Sequence, residues 1–219
     1  MSSYKADALV IRSREYNEAD RLVTLYTREK GKVSAVAKGV RKPKSKQRGG
    51  TQLFMYADFL LYAGRTLDTI RQAQPRETFL YLWDDYERTI TASAMMELLD
   101  AATVQGEADE AVFFLSLKFL FLLRELNPAI GLTAYALRLM RHQGYLAAND
   151  ALDGKPLSPG STAVLRQLRR LPPEQLDRLR LSAEQKKETA EALHFFCENK
   201  LERRLKAWQQ WIGDQGGSV

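Results

Sequence analysis

Along the first eighty residues, apolar positions recur with a period of two. Residues 4–12 (YKADALVIR) alternate small or apolar with polar side chains and then turn wholly apolar. Residues 21–27 (RLVTLYT) are rich in β-branched and aromatic side chains, and 32–38 (KVSAVAK) set Val33, Ala35 and Ala37 on one face. A longer apolar run covers 53–62 (LFMYADFLLY), and a weaker pattern covers 65–74 (RTLDTIRQAQ). Asn17, Lys30-Gly31, the stretch from Gly39 to Gly50, and Gly64 supply turn chemistry between them. Five strands in so short a stretch predict a small closed barrel or sandwich, because an all-β domain of this size must hide its edges. A five-stranded OB-type barrel fits the count, and an SH3-like barrel fits it nearly as well.

After Pro75 the period changes to that of helices. Residues 79–104 place Ile90, Ala94, Met95, Leu98, Leu99 and Ala102 at helical spacing, and Gly106 ends the run. Residues 109–126 are apolar on almost every side, which predicts a helix central to its domain. Asn127-Pro128 opens a third helix that runs to about Gln143, with Gly144 as its stop. Residues 147–160 read as a loop, and short helices are expected at 161–171 and 173–179. A capping box, Ser182 with Gln185, starts a last helix. It carries Leu193, Cys197, Leu201, Leu205, Trp208 and Ile212 as one stripe. The expected organisation is segregated α+β, with an OB-type barrel over 1–78, an all-helical domain over 79–212 and a frayed tail over 213–219.

Composition narrows the class. Apolar residues make up 45% and charged residues 27% of the 219, which excludes wholesale disorder. One cysteine, Cys197, excludes an intramolecular disulfide framework or a cysteine-rich zinc module. The longest apolar run, 111–123, is too short for a membrane span and contains Lys118. The first residues lack the apolar stretch of a secretory signal, so the expected compartment is the cytoplasm.

Charge is segregated. Residues 1–80 carry 16 Lys and Arg against 8 Asp and Glu, whereas 81–219 carry 17 against 19. No acidic residue falls between Lys30 and Ala57, a stretch that holds Lys30, Lys32, Lys38, Arg41, Lys42, Lys44, Lys46 and Arg48. Such a run favours a polyanion through phosphate contacts and counterion release. Glycines and Pro43 make 39–50 an extended arm suited to following a phosphate backbone. Arg14 joins the same expected footprint. Tyr16, Tyr26, Phe54, Tyr56 and Tyr62 are aromatics near enough in sequence to stack on bases, although a barrel core would also claim them.

Catalytic patterns are missing. There is no GxxxxGK[ST] and no HExxH, and His142 and His194 lie far apart. His142 reads as a helix-end cation and His194 as a flank residue. Cys197 falls on an apolar stripe and reads as a core thiol. Glu97 and Asp100, at i and i+3, read as solvated helix charges; only metal-dependent turnover of nucleic acid would turn them into a site. No catalytic residue, cofactor or metal ligand is assigned.

The opening YKADALVIRSREYNEADRLVTLYTREKGKVSAVAKGVRKPKS resembles the N-terminus of the bacterial RecO recombination-mediator family. The matching elements are Val-Ile-Arg-Ser-Arg, then Glu15-Tyr16-Asn17-Glu18, then Thr27-Arg28-Glu29-Lys30-Gly31-Lys32, then Ala37-Lys38-Gly39-Val40-Arg41. Leu139-Met140-Arg141-His142-Gln143-Gly144-Tyr145 is similar to the family's helix end before its metal-binding insert. The resemblance implies a non-enzymatic, cytoplasmic, nucleoid-associated protein of recombinational repair. It implies binding to single- and double-stranded DNA and annealing of complementary strands. It further implies help, with RecR, in loading the RecA recombinase onto DNA coated by single-stranded DNA-binding protein (SSB), and capture of the acidic SSB tail. Lys118, Arg124, Arg138 and Arg141 are the cations of the helical domain placed to meet that tail. The alternative is a general single-stranded-DNA- or RNA-binding OB protein with a helical interaction domain.

One departure from the family pattern is plain. Many members hold a four-cysteine zinc site after the Gly-Tyr element, and here LAANDALDGKPLSPG follows with no cysteine, so the insert is lost or trimmed near 146–160. One Cys and two separated His cannot assemble a tetrahedral structural zinc site from the usual ligands. Purified protein should therefore hold no stoichiometric zinc by elemental analysis, and chelators should leave its melting temperature unchanged. One zinc per chain would overturn this.

Overall fold

The computed structural model describes residues 2–42, 49–146, 152, 154 and 156–216. Five strands, β1 (Ser3–Tyr16), β2 (Asp20–Thr27), β3 (Gly31–Ala37), β4 (Tyr56–Tyr62) and β5 (Asp68–Glu77), close into a barrel in the order β1-β2-β3-β5-β4. The β3–β5 pairing is parallel and the others antiparallel. That connectivity is the OB type and decides against the SH3-like alternative.

β1 serves two neighbours. Its residues 3–9 pair with β4 and 8–16 with β2, and the register shifts between Val10 and Arg12. A bulge of this kind bends a strand, which lets one strand belong to both sides of a small barrel. Alanines at 6, 8, 35, 37 and 57 point inward and make room for Leu25, Met55, Phe59, Leu61 and Ile70. The alternation of small and large side chains fits a barrel too narrow for large ones throughout. β4 begins at Tyr56, later than the apolar run suggests. Phe54 has φ 70°, and this turn places its N–H on the Val10 carbonyl at 2.9 Å while Val10 donates to Met55 O at 2.8 Å.

The chain forms two compact units, Met1–Phe79 with Thr103–Phe114, and Leu80–Ala102 with Leu115–Val219. Thr103–Phe114, which the sequence places among the helices, packs on the outside of the barrel. Lys32 Nζ donates to Thr103 O at 2.8 Å, and Gly106 N donates to Lys32 O at 2.9 Å. Arg28 pairs with Glu110 and lies over the Phe114 ring, and Phe113 meets Tyr56 edge-on at 6.1 Å between centroids. The closest approach is at Gly31, where a Cβ would come within 1.8 Å of Glu107 O.

The second unit is helical: α1 (Tyr86–Ala102), α2 (Glu110–Leu122, whose first turn lies in the first unit), α3 (Pro128–His142), α4 (Pro159–Arg170), a 3-10 turn (Pro173–Arg178), α5 (Ala183–Leu201) and α6 (Lys206–Gly216). The central helix is α3, not α2. Every residue of α3 from Pro128 to Leu137 is buried, whereas Phe121 of α2 is 44% exposed. Small residues at 129, 131, 134 and 136 let neighbours come close to α3: Gly131 sits where a Cβ would come within 2.9 Å of Leu123 Cδ2. Greater hydrophobicity does not compensate for bulk at a close crossing.

The expected last helix is two helices. Glu202 ends α5 in the left-handed region at φ 50°, and α6 begins at Lys206. Glu97 of α1 caps α6, accepting from Lys206 N at 2.9 Å and Ala207 N at 2.8 Å. α6 continues to Gly216, into the stretch the sequence reads as a frayed tail. Among the described residues, no helix is long and apolar enough to cross a membrane.

Gly31 has φ +61°, so any L side chain there is strained as well as obstructed. Gly31→Ala should cost roughly 1–3 kcal/mol. Thermal or urea unfolding measures the loss, and an unchanged midpoint would show that Thr103–Phe114 yields freely.

Candidate nucleic-acid interface

The arm is fixed at both ends. At its start, Val40 is buried in the barrel core and Gly39 N donates to Asp20 Oδ1 at 2.7 Å. Arg41 N donates to Ala19 O at 3.0 Å. The Arg41 guanidinium reaches Glu15 Oε1 at 2.9 Å and Glu18 O at 3.2 Å. At its far end a 3-10 turn, Gly49–Thr51, buries Gly50 against Ala73, and Ser13 Oγ donates to Thr51 O at 2.8 Å. Ser13 and Glu15 thus tie β1 to the two ends of the arm. Arg14 projects from the other side of the strand, beside its cross-strand partner Leu22.

The expected cations divide accordingly. Lys38 and Lys42 are exposed at the root of the arm, and Arg14 is exposed on β1. Lys30 is exposed on the β2–β3 turn with its ammonium 3.7 Å above the Tyr4 ring. Lys32 is half-buried on Thr103 O, and Arg41 stitches the β1–β2 turn, so both are structural cations first. Lys44, Lys46 and Arg48 lie outside the described residues. The sequence reading missed Arg12, which shares the outer side of β1 with Arg14 and pairs across to Thr24. The signal was there in the two-residue spacing.

The aromatic candidates also divide. Phe54 and Tyr26 are buried at 0% and 1% exposure and have no face to offer a base. Burial, with Asp109 nearby, pushes the Tyr26 phenol well above its usual pKa. Tyr56 is half-buried in a network, donating to Asp7 Oδ2 at 3.2 Å and accepting from Arg76 at 3.0 Å; Arg76 also forks onto Asp58. Tyr16 and Tyr62 remain exposed, the latter with the Arg71 guanidinium 4.7 Å from its ring.

The four cations assigned to the helical unit do not form one site. Arg124 lies 4.8 Å over the Tyr81 ring, and Lys118 pairs with Glu174. Arg138 is largely buried, donating to Ala134 O at 3.0 Å and Leu171 O at 2.6 Å. Burial lowers its guanidinium pKa from the usual value, against the pull of Glu174. Arg141 is exposed and lines a cleft with Arg138 and three further cationic or imidazole side chains.

The carboxylates considered for catalysis have structural work. Glu97 caps α6, and Asp100 is 6% exposed and bound to Arg203 at 2.9 Å. Their reading as solvated charges is therefore corrected: burial next to helix α6 and to Arg203 holds them. Among the described residues, no three His, Cys, Asp or Glu side chains gather as metal ligands would.

Comparison with known proteins adds the family. The family described as "Recombination protein O N terminal" matches residues 1–79, and "Recombination protein O C terminal" matches 84–151 and 146–209. DNA repair protein RecO of Desulfitobacterium hafniense is 44% identical over 242 aligned positions, covering 95% of this chain and 89% of the relative. That of Heliobacterium modesticaldum is 34% identical, covering 95% and 89%. That of Moorella thermoacetica is 31% identical, covering 98% and 92%. Each of these alignments is longer than the 219 residues here, so each relative carries positions without a counterpart in this chain.

Cys197 is the one thiol, and it is fully buried. Burial, with Glu198 adding to it, raises its pKa well above the ordinary value, so thiolate is scarce at neutral pH. A chromogenic disulfide reagent at pH 8 should leave the native protein unmodified and titrate one thiol in denaturant. Rapid titration of the folded chain would contradict the burial.

Proposed function

The chain belongs to the RecO family of DNA repair proteins, and from that membership we propose that it works without catalysing a reaction, binding single- and double-stranded DNA and annealing complementary strands. In this reading it acts in the cytoplasm, associated with the nucleoid. It captures the acidic SSB tail on its helical unit and cooperates with RecR in loading RecA onto SSB-coated DNA. Lys118 and Arg124 on and beside α2, next to exposed Phe121, are the side chains we assign to the tail, which needs both an apolar contact and a cation. We also place the loss of the zinc insert at 146–151, where the two C-terminal family matches overlap.

The observation that carries the reading is the arm: a cation-rich stretch held at both ends by an OB barrel. A cation-rich stretch whose described ends are anchored on the barrel suits sequence-independent binding of a phosphate backbone. Lys38, Lys42, Lys44, Lys46 and Arg48 make the phosphate contacts in this reading, with Lys30 and Arg14 flanking them. Arg41 and Lys32 contribute to the field while holding the barrel.

Each phosphate contact adds roughly 0.7 to 0.9 to the slope of log K against log salt. Replacing Lys38, Lys42, Lys44, Lys46 and Arg48 by Ala, with Arg41 left in place, should lower that slope by about 3.5 to 4.5. It should slow annealing of complementary oligonucleotides, with and without SSB. Fluorescence anisotropy over a salt series measures the slope. An unchanged slope together with unchanged annealing would remove the arm from the interface.

A further inference from the structure

The helical unit is close to balanced in charge, with 17 Lys and Arg against 16 Asp and Glu, yet it concentrates cations in one place. Arg138, Arg141 and His142 stand at i, i+3 and i+4, one side of the last turns of α3. Arg169 and Arg170 close the last turn of α4. Together these five side chains line an open cleft of about 390 Å³. Among the described residues, no carboxylate and no apolar side chain shares that lining.

Part of this crowding has a structural origin. Both helices end here, and cations are favourable beside helix C-termini. Arg138 uses that field directly: its two donors meet Ala134 O and Leu171 O, so it ties α3 to the residue that follows α4. Arg141, His142 and Arg170 are exposed and Arg169 is half-buried, so four positive or imidazole groups stand at the rim around the Arg138 floor.

The chemistry of the lining selects the ligand. An acidic peptide with an aromatic end needs apolar side chains beside its cation, and the described lining is arginine and histidine alone, its apolar surface being the arginine stems. Guanidinium forks match phosphate oxygens two at a time. We propose that the cleft is a second phosphate site, taking the sugar–phosphate backbone of a nucleic-acid strand other than the one the arm holds. It rests on the nucleic-acid reading given above and adds to it. The barrel unit and the helical unit then each hold a strand, which is what pairing two strands on one protein requires. Arg141, Arg169 and Arg170 contact the phosphates, and Arg138 positions the two helix ends.

The test uses the full chain with Arg141→Glu, Arg169→Glu and Arg170→Glu combined, leaving Arg138 intact, and a second chain with the same three residues changed to Lys. Matched melting temperatures establish that both fold. Donor- and acceptor-labelled, non-complementary oligonucleotides are mixed with protein at one chain per two strands, all well above the dissociation constant. The wild type and the Lys variant should bring the two dyes together; the Glu variant should lose at least fivefold of the energy transfer. Its affinity for a single labelled strand should stay within about threefold of wild type, because the arm remains. Full transfer by the Glu variant, or none by the wild type, would overturn the proposal. So would a Glu variant that keeps transfer but loses binding of a fluorescent acidic peptide, which would assign the cleft to a protein tail. The arm variant separates the two readings: if it binds single strands normally, the arm reading fails. In that case residual binding that disappears only when the three Glu changes are added would still support the cleft.

Discussion

Closure of the barrel depends on β1 being hydrogen-bonded along both edges. A strand of fourteen residues with a register shift at Val10–Arg12 pairs first with β4 and then with β2, and neither neighbour can substitute for it. The consequence reaches the binding end. Ser13 and Glu15, on the second half of the same strand, hold the two ends of the arm through Thr51 and Arg41. A slip of one residue in β1 would exchange the sides of the strand held by Ser13 and Glu15 and by Arg12 and Arg14. The cationic face and the anchoring of the arm are therefore set by the same register.

The cations of this protein fall into two kinds that sequence alone does not separate. Lys32, Arg41 and Arg138 place their charge on backbone carbonyls. Each fastens a junction: Lys32 the segment Thr103–Phe114, Arg41 the β1–β2 turn, Arg138 the ends of α3 and α4. Removing one of them leaves carbonyl oxygens without a donor and loosens the local fold, whatever else it does. Lys38, Lys42, Arg14 and Arg170 are exposed, and replacing them disturbs the fold much less. A charge-removal experiment that mixes the two kinds would confuse unfolding with loss of contact.

The strands were legible because their alternation is local, and the capping box at Ser182 and the Asn127-Pro128 start were legible for the same reason. The failures share a cause. The break between α5 and α6 is hidden because the cap on α6 comes from Glu97, more than a hundred residues away in the chain. α2 looked central because hydrophobicity is easy to count, whereas the close approach permitted by Gly131 depends on the neighbour it meets. Phe54 and Tyr26 looked available because exposure is a property of the fold. The cationic cleft was half visible: Arg138 and Arg141 share a helix, but Arg169 and Arg170 join them only through the packing of α4 on α3.

The segment Thr103–Phe114 bears on how the protein can be dissected. It follows α1 in the chain but lies on the barrel, with the Glu107 carbonyl against Gly31 and Phe113 against Tyr56. A fragment cut after Phe79 would keep all five strands and lose this covering. Tyr56 would lose its ring partner, Arg28 and Lys32 would lose their acceptors, and the Gly31 backbone would be left open to solvent. The smallest piece that preserves the barrel's natural surface is thus discontinuous in sequence, and studies of the barrel in isolation would be studies of a surface the intact protein does not present.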